Sequence, residues 1–101
     1  YLSSLVELTD ERRQHIAERH PDMLPRLDEI LAQTLSEPDQ VRRSTRFANA
    51  RLFSRWYNDS RGGKHVVVVV VSDDPAPYRH WIVTAYLTKS LSSGDIEWER
   101  N

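Results

Sequence analysis

The densest group of chemically capable side chains is His15-x-x-x-Arg19-His20-Pro21. Spacing of four places His15 and Arg19 on one face of a helix, with His20 at its end. Histidine is the natural general base for a hydroxyl proton, and a neighbouring arginine can hold a phosphate. The alternative is ordinary: a satisfied surface histidine, with Arg19 in a local ion pair.

Other chemistries fit less well. His15 and His20 are five apart rather than four, and His65 and His80 lie far along the chain, so no helix-face metal pair forms. There is no Gly-x-Ser-x-Gly elbow, and the three glycines (Gly62, Gly63, Gly94) all fall in loops. No glycine-rich cradle precedes a helix, and the acids lie on helix surfaces or in turns rather than in inward pairs. What remains is compatible with RNA cleavage that needs neither metal nor cofactor. That reaction requires a base for the 2′-hydroxyl, cations for the phosphorane and an acid for the leaving 5′-oxygen. His15 or His20 could be the base; Arg19, Arg46 and Lys64 supply charge; Ser44, Thr84 and Tyr86 could bond phosphate oxygens.

Charge distribution points the same way. Net charge is −1, yet residues 42–64 hold seven cations against one acid, a local +6 that leaves −7 elsewhere. A basic stripe of this kind suits a phosphate backbone, although arginines on a solvated strand pair would give the same count.

The elements that must position these groups follow from periodicity. Thr9 or Asp10 caps a helix to about Arg19, and His20-Pro21 ends it. Asp22 is expected to cap a second helix, with Pro25 in its first turn and Leu24, Leu27, Ile30 or Leu31, and Leu35 inward. From Val41 the period becomes that of strands, near Val41–Ser44, Arg51–Tyr57, His65–Ser72, Trp81–Thr88 and Ile96–Glu99. The loops at 58–63, 73–77 and 92–95 are short, which implies an antiparallel meander.

Alternation puts Trp81, Val83, Ala85 and Leu87 against the helices, and Ile82, Thr84, Tyr86 and Thr88 on a cleft floor. Likewise Arg51, Phe53, Arg55 and Tyr57 share a face on which guanidinium groups could meet phosphates and rings could stack on bases. A half-exposed face padded by amphipathic side chains is the alternative.

The chain has 101 residues and no cysteine: one α+β domain, about 9–35 helical and 41–99 sheet, without disulfides or thiolate sites. The missing cysteines fit a reducing, cytoplasmic setting. No apolar run approaches the roughly 18–20 residues of a membrane span. Tyr1-Leu2-Ser3-Ser4 lacks an initiator Met and a basic n-region, and reads as a trimmed or internal start rather than a signal peptide.

Taken in order, His15-(x3)-Arg19-His20-Pro21, Ile30-x3-Thr34-Leu35-x2-Pro38-Asp39-x-Val41-x2-Ser44, the Val66–Val71 strand, Thr84-Ala85-Tyr86, Gly94 and Trp98 form a familiar series. The set resembles the phage-associated branch of the BECR superfamily, nucleases related to barnase, EndoU, colicin-type tRNases and RelE. The resemblance covers residues 15 to 98. It implies two short N-terminal helices packed on a four- to five-stranded antiparallel meander, with the active site on the open sheet face. It also implies metal-independent endoribonuclease activity on tRNA or mRNA, in a phage, mobile-element or toxin setting where a protein inhibitor or antitoxin would be a partner. By position, His15, Arg19, His20, Ser44 and Thr84 match the landmark polar residues, and Tyr86 follows. A non-catalytic RNA- or protein-binding module on the same fold is the other expectation.

Overall fold

A computed structural model describes residues 5–47, 49–58, 63–73, 79–91 and 94–100. Most of the three expected loops, including Asp59–Gly62, Asp74–Tyr78 and Ser92–Ser93, lies outside the described residues, as does the Tyr1–Ser4 start.

The element order is β1 (Val6–Glu7), α1 (Asp10–Arg19), a single 3₁₀ turn (Pro21–Met23), α2 (Leu27–Ser36), β2 (Gln40–Arg43), β3 (Ala50–Tyr57), β4 (Lys64–Ser72), β5 (His80–Thr88) and β6 (Asp95–Glu99). The class is α+β. Thr9 caps α1, its hydroxyl accepting from the Arg12 N–H at 3.2 Å, with Asp10 and Glu11 in the positive first turn. Asp22, however, caps nothing. It sits in the 3₁₀ turn, and α2 begins only at Leu27 with no side-chain cap. Pro25 therefore precedes that helix instead of occupying its first turn.

Strands β2 to β5 form the expected run of antiparallel neighbours, but the whole is not a simple meander. The described strands make one six-stranded sheet ordered β1-β5-β4-β3-β2-β6. β1 lies parallel to β5, pairing Val6 with His80 and Glu7 with Trp81. Parallel pairing needs a long crossover, and the helices with three strands supply it. β6 pairs antiparallel with β2, on the opposite edge from β5 where its sequence ends. The β5–β6 connection must then pass three intervening strands, about 19 Å at ~4.8 Å per strand. Its Leu91 borders a small hollow on the sheet together with Arg42, Leu52, Ser54 and Val67.

Both helices cover one face of this sheet. Ile16, Met23, Leu27 and Leu31 meet Val41, Phe53, Val66, Val68, Val70, Ile82 and Ala85 in a single core. Register fixes the sidedness: Phe53 pairs with Val68, Arg51 with Val70 and Arg55 with Val66, all on the helix side. The Arg51-Phe53-Arg55-Tyr57 face is thus turned to the helices, not outward as expected, and Phe53 is only 1% exposed. In β5 the alternation also breaks. Pairing steps from Val69–Thr84 to Val70–Ile82, leaving Val83 as the extra residue of a bulge. Hence Ile82 and Ala85 both enter the core, and Trp81 moves to the other face.

Polar ties close the ends. Arg13 donates to Asp28 at 2.7 and 3.0 Å, joining α1 to α2, and Arg79 donates to Glu7 at 2.9 Å, joining β1 to the start of β5. The Arg79 guanidinium, through its hydrogen bond first and its charge second, holds the Glu7 carboxyl below the usual carboxylate range. At Asp28 the hydrogen bond from Arg13 likewise dominates.

Two outcomes follow. Phe53→Ala should lower the unfolding free energy by about 3–5 kcal/mol in urea, because its core site cannot refill. Carboxyl NMR titration should find Glu7 and Asp28 midpoints below about 4.3 and 3.9 respectively. Depressed values mean these ties contribute fully above the unfolded midpoints and are lost as pH falls through the folded ones. Midpoints at or above the ordinary values would show the ties are not formed.

Candidate functional site

The expected histidine pair is split by the helix it sits on. Ile16 points α1 into the core, which leaves His15 on the flank, in a shallow depression lined by Glu11, Arg12, Gln14 and Glu18. Two carboxylates beside it make a poor phosphate site. Arg19 is exposed and has no ion pair among the described residues.

His20 occupies a different place. It ends α1, its backbone N–H donating to the Ile16 carbonyl at 2.8 Å, and the proline that follows turns the chain toward the sheet. Its half-buried ring stands 6.2 Å from that of Tyr86, tilted by 42°. Among the described residues β5 pairs with β1 only at His80 and Trp81, which leaves its Tyr86 end as a sheet edge. An imidazole and a phenol from elements 66 positions apart thus meet where a ligand can reach them.

On the helix side, a groove of about 560 Å³ runs between the start of α2 and the β3–β4 end of the sheet, whereas Tyr86, paired with Val67, stems from the opposite face. Asp22, Arg26, Tyr57, Lys64, Val66 and Leu87 line it. Asp22 and Leu87 lie within two residues of His20 and Tyr86 in the chain. Tyr57 is held there, its hydroxyl donating to Gln33 Oε1 at 2.8 Å. Arg26 is held by a two-pronged contact with Glu29, both at 3.0 Å.

Several expected site residues serve the fold instead. The Ser44 hydroxyl accepts from the Arg46 and Phe47 N–H groups at 3.1 and 3.2 Å, which closes the β2–β3 turn. Arg46 lies with its guanidinium 5.7 Å from the Phe47 ring. Arg55 donates to the Glu37 carbonyl at 2.6 Å, just past the C-terminus of α2, where a cation is favoured. Arg51 pairs with Glu97 at 2.8 Å, Arg43 pairs with the same carboxylate, and Arg51 reaches the Ser72 hydroxyl at 3.5 Å. The Ser72 hydroxyl also lies 2.6 Å from His80 Nδ1, a hydrogen bond whose direction is set by the imidazole tautomer. This buried chain binds β6, β3, β4 and β5 together.

Thr84 stands on the face away from the helices, opposite Val69. That face also holds residues the sequence reading passed over: Ser54, Trp56 and His65. Trp56 pairs with His65 across the β3–β4 hairpin, edge-on at 4.9 Å between ring centres. Counting register back from the Asn58–Gly63 turn would have found that pair. Among the described residues no group of three or more His, Cys, Asp or Glu is placed to hold a metal ion.

Arg51→Ala should destabilise the chain by about 1.5–3 kcal/mol in urea unfolding, since it strands part of a half-buried carboxylate. Arg19→Ala should stay within about 0.5 kcal/mol. Equal effects would remove the distinction drawn between them.

No family model, no curated protein and no solved structure matches this chain, so the functional reading rests on its own residues.

Proposed function

We propose that this chain is a metal-independent endoribonuclease of the toxin or phage-borne type, acting on tRNA or mRNA. The observation that carries the reading is the meeting of His20 and Tyr86 at the free edge of β5. The ordered motifs resembling the BECR nucleases support it, as do Lys64 and the aromatic Tyr57 along the helix-side groove. Such a protein would work in the cytoplasm, with an inhibitor or antitoxin as its protein partner.

In this scheme neutral His20 takes the proton from a ribose 2′-hydroxyl. The 2′-oxygen forms a bond to phosphorus, and the bond from phosphorus to the 5′-oxygen breaks. The departing oxygen receives a proton from the Tyr86 hydroxyl. Products are a 2′,3′-cyclic phosphate and a free 5′-hydroxyl. Arg19 and Lys64 offset charge on the phosphorane, which asks only for placed cations rather than covalent participation. His15 has no part, being set among acids on another surface.

The purified chain, given tRNA and mRNA in excess EDTA, should produce cyclic-phosphate ends. His20→Ala should slow this by about 100-fold or more, the ordinary share of a general base, and Tyr86→Phe should also slow it. His15→Ala should cleave like the native chain. Absence of cleavage by the native protein, with or without added divalent metal, overturns the assignment and leaves a binding module in its place.

A further inference from the structure

The sheet face away from the helices carries a small open hollow. Ser54, only 3% exposed, has a hydroxyl with no hydrogen-bond partner among the described residues. It lines a space of about 250 Å³ together with Gln40, His65 and Leu91, and the rim also carries Asp39, Glu99 and Arg100, of which Asp39 and Arg100 pair with each other at 3.8 Å. A buried hydroxyl without a partner is rare in folded proteins and asks what it is kept for. The Gln40 amide is aimed by its neighbour: Arg42 Nε donates to Gln40 Oε1 at 3.0 Å, so the carbonyl is occupied and the N–H₂ remains to donate. The Gln40 amide and the His65 imidazole therefore border one opening, with the Ser54 hydroxyl buried in its wall.

Next to it stands Trp56, the same-face neighbour of Ser54 and the cross-strand partner of His65. Its indole is 42% exposed yet held in one pose by three contacts. The Nε1–H donates to Asn58 Oδ1 at 2.7 Å, and the His65 ring meets it edge-on. Gly63, at φ +89°, lies so close that an added Cβ would fall 2.2 Å from Trp56 Cζ2. Holding a large ring rigid while leaving it exposed does little for the core. It does suit a stacking platform, because little side-chain freedom is lost when a flat ligand lands on it.

We propose that this face carries a nucleobase subsite, with Trp56 as the stacking surface and Ser54, Gln40 and His65 reading the edge of the base. The proposal rests on the ribonuclease reading for its ligand class and adds where base preference would arise. Single-stranded RNA is recognised in this way, by aromatic stacking together with hydrogen bonds to base edges.

The test is an NMR titration of the native chain with each of the four nucleoside 5′-monophosphates, beside ribose 5-phosphate. The Trp56 indole N–H and the His65 ring should shift with at least one nucleotide and not with the sugar phosphate. Ser54→Ala should weaken that nucleotide about tenfold, while its thermal midpoint stays level or rises, since an unsatisfied hydroxyl is replaced by a methyl group. Unmoved Trp56 and His65 signals with all four nucleotides overturn the subsite even if RNA is cleaved. An equal response to ribose 5-phosphate overturns it too, leaving a phosphate site. Base-dependent shifts in a chain that cleaves no RNA uphold the subsite and overturn the ribonuclease assignment alone.

Discussion

Everything in this molecule hangs on the pairing of β4 with β3 and β5. Its valines alternate into two environments: Val66, Val68 and Val70 beneath the helices, Val67 beneath Leu91 on the other side. A strand made almost wholly of β-branched residues has no polar face to offer water, so both of its sides must be covered. The helices cover one. That demand, more than helix propensity, makes two ten-residue helices worth keeping: helices this short are marginal alone and gain stability from packing an apolar face.

Covering the second side explains the unusual end of the chain. If β6 simply turned back beside β5, Leu91 would not reach Val67 and Ser54. By crossing to the far edge, the connection lays an apolar side chain over the middle of the sheet and lets β6 pair with β2, whose outer edge would otherwise be bare. Glu97 then locks the arrangement, accepting from Arg43 and Arg51 at once. The shared carboxylate offsets two cations that would repel each other across neighbouring strands. Gly94 belongs to the same device: a Cβ there would come within 3.1 Å of the Arg43 carbonyl oxygen.

This division of labour separates the basic segment into two kinds of arginine. Arg51 and Arg55 spend their charge on Glu97 and on the carbonyl end of α2, so the stripe of positive charge is largely internal wiring. The polar chemistry left over lies elsewhere: His20 with Tyr86 at the β5 edge, Lys64 in the groove, and Ser54, Trp56 and His65 on the face crossed by Leu91. Free edges and lightly covered faces are where a rigid sheet can present side chains without loosening its core.

Much was legible in the amino-acid order alone. The change of period near Val41, the turn residues at Asn58–Gly63 and the cap at Thr9 place α1 and the five strands from β2 to β6 closely, because each depends on contacts a few residues apart. The second helix was misplaced at its start, since Asp22 could cap a helix only if the chain did not first make a 3₁₀ turn through Pro21. Sidedness was beyond local reading as well. Alternation says which residues of β3 share a face, but only packing decides which face meets the helices, and Phe53 rather than Trp56 filled the core. In β5 one bulged residue, Val83, reversed the pattern that simple alternation predicts. The position of β6 and the separation of His15 from His20 were likewise decided by tertiary structure, because edge pairing and helix orientation join residues too distant in sequence for spacing to connect them.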